Sequence, residues 1–280
     1  MRVADLPTPG RALVMGVVNV TPDSFSDGGR WFDTDRAVAH GLEMVEQGAD
    51  IIDIGGESTR PGANRVDPAE ELRRVIPVVR ALSEAGTTVS VDTMRAQVAG
   101  AALEAGADLV NDVSGGRADP DMLRVAADAE VPFVLMHWRQ HSDVMLEREH
   151  TEYDDVVSEV IAELRASIDQ ALDAGVRPGQ LVIDPGLGFS KTGAQNWTIL
   201  RDLGAFLDLG YPLLIAASRK RFLGQLLASP AGDPAVPDDR DAATAAITTL
   251  AASAGAWCVR VHDVRPSADA ARVVARWSRG

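Results

Sequence analysis

The stretch Leu181-Val182-Ile183-Asp184-Pro185-Gly186-Leu187-Gly188-Phe189 is where the chain shows its plan. Its first three residues are apolar, two of them β-branched, which is the composition of a short buried strand. The run stops at a carboxylate, and Pro185-Gly186 then forces a turn. Asp184 therefore sits where a buried strand ends, and a carboxylate there is costly unless it meets donors. Taken alone, it reads as a turn-capping residue. What changes the reading is that several other apolar runs also end in a polar residue.

Working outward, strands are expected over 12–20, 51–54, 89–91, 109–113, 132–136, 181–183, 212–217 and 257–261. Helical segments alternate with them, over 33–47, 68–85, 95–104, 120–129, 153–174, 194–209, 219–228, 241–254 and 266–277. Asp67-Pro68 opens one helix, and Gly48, Gly86, Gly106, Gly175 and Gly210 stop others. Short strands that are apolar on both faces imply a parallel sheet covered by helices. Eight such units in about 250 residues specify an α/β fold, the (β/α)8 TIM barrel, as a single domain. The barrel is expected over 12–280. Residues 1–11, with Pro7, Pro9 and Gly10, read as an irregular N-terminal arm. A doubly wound open sheet is the alternative, but no Gly-x-Gly-x-x-Gly follows the first strand.

The chain has 280 residues, 46% of them hydrophobic, enough for a large core. Lys and Arg total 27 against 41 Asp and Glu, a net charge of −14. That argues against nucleic acid or an anionic membrane as partner, and an anionic substrate would need a local cationic pocket. A single cysteine excludes an internal disulfide and suggests a reducing compartment, hence a cytoplasmic location. There is no signal-peptide pattern and no apolar run long enough to span a bilayer. The sequons at Asn19 and Asn196 are read as coincidental.

In a barrel of this kind, the active site lies at the C-terminal ends of the strands. Those ends carry Asn19, Asp53 with Glu57, Asp92, Asn111, His137, Asp184, Ser218-Arg219-Lys220, and Arg260 with His262. Side chains alternate along a strand, so Arg260 and His262 point one way and Val261 the other. Asp184, Asp92 and Asn111 suit a flat heterocycle with an amino-pyrimidinone edge, because a carboxylate accepts two parallel N–H bonds. Lys220 suits a ring carbonyl or ring nitrogen. Arg260 suits both a ring face and a phosphate oxygen. Asn19 and His262 suit a diphosphate or a metal. Two segments rich in glycine and hydroxyl residues, 21–29 and 55–62, have the composition of loops that fold over a ligand. Cys258 is expected to be a small buried hydrophobe, and the charged stretch 139–152 a solvated loop.

These residues fall into ordered motifs: Asn19-x-Thr21-Pro22-Asp23-Ser24-Phe25-Ser26-Asp27-Gly28-Gly29, Gly55-Gly56-Glu57-Ser58-Thr59-Arg60-Pro61-Gly62, and Val91-Asp92-Thr93. Asn111-Asp112-Val113-Ser114-Gly115, Asp184-Pro185-Gly186-Leu187-Gly188-Phe189-x-Lys191, Ser218-Arg219-Lys220 and Arg260-Val261-His262-Asp263-Val264 complete the set. With them the chain resembles the dihydropteroate synthases of folate biosynthesis, of the actinobacterial kind. The resemblance implies the condensation of (7,8-dihydropterin-6-yl)methyl diphosphate with para-aminobenzoate, assisted by Mg2+, in a homodimer. It implies that Asp92, Asn111, Asp184 and Lys220 hold the pterin, and that Arg260 stacks on it. Arg260, Asn19 and His262 would hold the diphosphate, with Asn19 the metal ligand. Thr59, Arg60, Pro61 and Ser218 would line the aminobenzoate site, with Arg219 and Val261 also among the substrate contacts. Asp23, Phe25, Lys220 and Arg260 would serve catalysis. Trp138 follows His137 where many family members have Met, a change expected to reshape the pocket floor. Two rivals stand beside this reading: a pterin-dependent methyltransferase domain and a non-catalytic pterin-binding paralogue.

Overall fold

The structure is a computed structural model that describes residues 2–21, 34–58, 65–141, 144–145 and 147–278. Eight parallel strands are ordered β6-β5-β4-β3-β2-β1-β8-β7. They are β1 Leu13–Asn19, β2 Ile51–Gly55, β3 Val89–Asp92, β4 Leu109–Asp112, β5 Phe133–Met136, β6 Leu181–Asp184, β7 Leu214–Ile215 and β8 Cys258–Val261. The sheet curls until its two edges meet. Ile183 pairs with Leu213, and its N–H donates to Pro212 O at 2.9 Å. The TIM barrel is thereby closed between β6 and β7.

Alternation along each strand divides the barrel into two environments. Val14, Ile52, Ile54, Val89, Val91, Leu181 and Ile183 face outward and pack under the helices. Leu13, Met15, Ile51, Leu109, Val134, Val182, Leu214 and Cys258 face inward and fill the lower barrel. The helices that cover the outer face include α1 Thr34–Gln47, α2 Pro68–Glu84, α3 Ala96–Glu104, α4 Met122–Ala129 and α6 Val156–Asp173, with α5 Arg148–Thr151 a single turn before α6. α2 starts where Asp67 accepts from the Ala69 N–H at 2.9 Å and Pro68 supplies a first residue that needs no donor. Among the described residues, no helix is long and apolar enough to cross a membrane.

Several expected boundaries move. The segment 194–209 is two helices, α7 Gly193–Arg201 and α8 Leu203–Leu207, because Asp202 leaves the helical region at φ −123° and ψ 44°. The seventh strand is only two residues long. The following helix, α9 Arg221–Leu226, is also shorter than expected. α10 Asp241–Ala254 agrees with the expectation, and α11 Val264–Ser278 begins two residues early. The arm is not wholly irregular. Val3–Asp5 forms a 3-10 turn, and Val3 and Leu6 are buried with the lower-barrel residues, closing that end. The charged stretch 139–152 is not simply solvated either. Met145 is buried with Val113, Met136 and Phe189, and Arg139 is held by Glu163.

Candidate active site

The inward face of each strand changes character along its length. Two residues beyond the apolar Ile51, Leu109, Val182 and Cys258 stand Asp53, Asn111, Asp184 and Arg260. On β3, Ser90 and Asp92 follow the same spacing. The carboxylates and the amide are buried, yet they lie above the apolar fill and near one another.

Arg260 is the hub. Its Nε donates to Asp53 Oδ2 at 2.6 Å and its Nη2 to Asp92 Oδ2 at 2.6 Å. Asn111 Nδ2 donates to the same Asp53 oxygen at 3.0 Å. Asp53 Oδ1 is buried with no hydrogen-bond partner among the described residues. Burial works against the Arg260 charge, but Asp53 and Asp92 more than offset it and hold its pKa above the usual value. Burial pushes the Asp92 carboxyl up to about 7, with Arg260 opposing and Asp53 adding to the rise. Two carboxylates gripping one guanidinium fix its plane and leave other N–H groups unused.

At the end of β6, Asp184 caps its own turn, accepting from Gly186 N–H at 2.7 Å. Burial raises its pKa, and that N–H, Lys220, Lys191 and Arg260 oppose the rise. Lys220 Nζ donates to Leu187 O at 2.6 Å and lies 4.3 Å from the centre of the Phe189 ring. Burial pulls Lys220 down to about 8, with Asp184 the chief group holding its charge. The turn depends on glycine at two points. Gly186 has φ +70°, and a Cβ there would stand 2.4 Å from His137 O; Gly188 has φ +77°, and a Cβ there would meet Lys220 Cδ at 2.7 Å.

Behind this turn lies a second buried group. Lys191 Nζ approaches His137 Nδ1 at 2.9 Å, Gly186 O at 3.1 Å and Phe189 O at 3.0 Å. His137 Nε2 meets Glu163 Oε2 at 2.9 Å, and Arg139 also holds Glu163. Burial, reinforced by Lys191, pulls the His137 pKa down to about 3. Burial also draws Lys191 to about 7, with Asp184 opposing. Two carbonyls accept from Nζ, and with His137 protonated at Nε2 toward the Glu163 carboxylate its Nδ1 is a third acceptor, so the three match the hydrogens of an ammonium.

Ser218 Oγ and His262 Nδ1 lie 3.0 Å apart, and His262 N–H donates to the same Oγ at 3.1 Å. Asn19 ends β1 half-buried, paired with Gly55. Two expected substrate contacts have their side chains engaged elsewhere. Arg219, at φ +58°, turns away to Asp241, with which it makes two bonds of 2.8 and 2.7 Å, and to Asp238 at 2.7 Å. Val261 is buried in the outer core under the helices, so its side chain faces away from the barrel interior. Asp23, Phe25, Thr59, Arg60 and Pro61 lie outside the described residues. Glu57 accepts from Arg65, from Val66 N–H at 3.0 Å and from Arg95 at 2.8 Å, joining the chain on either side of 59–64.

Asp53 and His137 stand at strand ends and Lys191 in a motif, but the sequence assigned none of them a role; nothing local marks Glu163. Trp138 packs beside the cluster of Val113, Met136, Met145 and Phe189. Cys258 is buried in the lower barrel, and burial pushes its thiol well up, as expected of a packing residue.

Comparison with known proteins agrees with this geometry. The family model described as "Pterin binding enzyme" matches residues 15–262. A dihydropteroate synthase of Mycobacterium leprae is 60% identical over 266 residues, covering 94% of this chain and 93% of the relative. A solved dihydropteroate synthase of Xanthomonas albilineans with 4-aminobenzoic acid superposes with TM-score 0.86 at 45% identity, covering 96% of this chain and 93% of the other. A structure of the Xanthomonas albilineans enzyme in complex with 7,8-dihydropteroate gives TM-score 0.84 at 43% identity, covering 96% of this chain and 94% of the other. This chain therefore belongs to the pterin binding enzyme family, and within it to the dihydropteroate synthases.

Proposed function

We propose that this chain joins (7,8-dihydropterin-6-yl)methyl diphosphate to para-aminobenzoate, giving 7,8-dihydropteroate and diphosphate. The observation that carries the reading is the convergence of the buried Asp92, Asn111 and Asp184 and the half-buried Lys220 and Arg260 at the C-terminal ends of the strands, with Arg260 bonded directly to Asp92. A pterin edge offers N–H groups to the two aspartates and acceptors to Lys220 and Asn111. Arg260, with its plane held by Asp53 and Asp92, offers a flat face to the ring and further N–H groups to a phosphate.

In the reaction the methylene carbon loses its bond to the diphosphate oxygen, which keeps the electron pair. The pterin ring is electron-rich and shares the positive charge that develops on that carbon. The aminobenzoate nitrogen then forms the new C–N bond and gives up one proton to solvent. Asp92 and Asp184 favour the charge on the ring, and Arg260 and His262 favour the charge on the leaving group. By the family resemblance Ser218, Thr59, Arg60 and Pro61 would serve the aminobenzoate, and Asp23 and Phe25 would serve catalysis. Mg2+ suits the donor set, because it takes oxygen ligands and binds largely through substrate phosphates. Asn19, whose amide oxygen stands at the lip beside Gly55, would hold it. When bound, the ion would neutralise charge on the diphosphate.

We infer a cytoplasmic location from the single buried cysteine. A homodimer is supported by large apolar side chains exposed on the two packed C-terminal helices: Leu250 on α10, and Val273 and Trp277 on α11. Sedimentation should give twice the chain mass. The function itself is tested by supplying both substrates with Mg2+ and measuring dihydropteroate. Product should require both substrates, and chelation of the metal should lower the rate at least tenfold. Pterin binding without product would instead indicate the non-catalytic paralogue.

A further inference from the structure

Behind the pterin wall, Lys191, His137 and Glu163 form a chain from the buried turn to the half-exposed flank of α6. Its hydrogens can be assigned from both ends. An ammonium can only donate, so His137 Nδ1, at 2.9 Å from Lys191 Nζ, must accept. An ionised carboxylate can only accept, so His137 Nε2 carries the proton and donates to Glu163 at 2.9 Å. The imidazole is neutral, with one tautomer set by a cation on one side and an anion on the other.

The turn at 186–189 is the object held. Lys191 grips the carbonyls of Gly186 and Phe189. The opposite side of the same turn carries the functional contacts. Gly186 N–H meets Asp184 Oδ1 at 2.7 Å, Leu187 O takes Lys220 Nζ at 2.6 Å, and the Phe189 ring lies beneath that ammonium. Asn196 adds a brace, accepting from Gly188 N–H at 2.7 Å. Gly186, Gly188 and Ser190 all have positive φ, so the turn needs external bonds to keep its shape. An apolar side chain of similar length would fill the same space without placing a charge in the interior. What it would not supply is donors for two buried carbonyls and an imidazole nitrogen.

We propose that Lys191 is a positioning residue: anchored through His137 to Glu163, it holds the 186–189 turn in the shape that presents Asp184 and Lys220 to the pterin. The inference rests on the pterin-binding reading above. The charged groups around Lys191 are Asp184 on β6, Glu163 on α6, Arg139 after β5 and Lys220 after β7. Only Asp184 and Lys220 belong to the pterin set. The effect should therefore fall on one substrate.

Steady-state kinetics with both substrates, and calorimetry with 6-hydroxymethyl-7,8-dihydropterin, test this on the wild-type chain, Lys191→Met and Glu163→Gln. Lys191→Met should raise the KM for the pterin diphosphate and the pterin Kd at least tenfold, and leave the aminobenzoate KM within twofold. Glu163→Gln should shift the pterin constants threefold or more in the same direction. Nitrogen-15 NMR of the wild type should show His137 neutral and protonated at Nε2. Pterin constants within twofold of wild type in either variant, equal losses for both substrates, or a proton on Nδ1 would each overturn the inference. Should Lys191→Met fail to fold, Glu163→Gln and the NMR decide. A wild-type chain that neither binds pterin nor forms product overturns the underlying reading, and the inference with it. Product formation with unchanged variants overturns the inference alone.

Discussion

The two ends of the barrel interior are built from the same strands, two residues apart, yet they obey opposite rules. At the lower end Leu13, Met15, Ile51, Leu109, Val134 and Val182 are buried against one another, and the arm adds Val3 and Leu6. Every group there is better out of water, so the packing stabilises the fold. At the upper end the same inward face carries Asp53, Asp92, Asn111, Asp184 and Arg260. Burying these groups is costly, and only mutual pairing keeps the cost tolerable. The lower end serves the fold, and the upper end holds its charges in place for a ligand. Stability and activity should therefore separate along a single strand.

The largest expected effect breaks the lower end. Leu109 is fully buried and lies two residues before Asn111 on the same face of β4. Leu109→Ala should lower the unfolding free energy by about 2–5 kcal/mol, the range for a large-to-small core change. Urea titration measures the loss, while both KM values should stay within twofold. A stable variant with poor substrate binding would mean that the two ends are not independent.

The next effect reverses the pattern. Asp184→Asn keeps the shape of the side chain but replaces one acceptor with a donor. Pterin binding should weaken by roughly 2–4 kcal/mol, the scale for unpairing a buried charged hydrogen bond. Burial already disfavours this carboxylate, so urea stability should change little. Calorimetry with a pterin, run beside the urea titration, checks both halves. Unchanged pterin affinity would remove Asp184 from the site.

The smallest effect is a pH profile. Asp92, raised to about 7 by burial, accepts hydrogen bonds as an anion only above that pH. Lys220, lowered to about 8 by burial, is a full ammonium only below that pH. The value of kcat/KM for the pterin diphosphate should therefore peak between these two values. It should fall on the acid side as Asp92 gains a proton and on the alkaline side as Lys220 loses one. Lys220→Arg should shift the alkaline flank upward. A profile flat from pH 6 to pH 9 would show that neither group titrates in the working enzyme.

Asp184, Asp92, Asn111 and Arg260 were legible in the sequence because the signal is local: a short apolar run, a polar residue at its end, then a turn. Asp53 and His137 obey the same rule and were seen at strand ends, but a strand end alone does not say whether a side chain meets substrate or another side chain. Arg219 shows the converse. Its place in Ser218-Arg219-Lys220 suggested a ligand contact, but a positive φ and the carboxylate of Asp241 turn it toward α10. Asp202, inside a stretch with helical periodicity, breaks the helix through a backbone conformation that no pattern of apolar residues records.

Eight short two-sided apolar strands, alternating with helices stopped by glycine, are a property of the sequence itself; they dictate a parallel sheet covered by helices, because no open surface remains for such strands to face, and their number is that of a barrel. The polar strand ends then dictate where the site lies. Which charges meet is a different matter. Arg260 reaches Asp53 across 207 residues of chain and Asp92 across 168. His137 reaches Glu163 on a helix and Lys191 on a turn. Pairings of this kind depend on the closure of β6 against β7 and on the stagger of neighbouring strands. Spacing along the chain does not encode that distance, so the partners of each buried charge, and the groups available to a substrate, were decided only when the barrel closed.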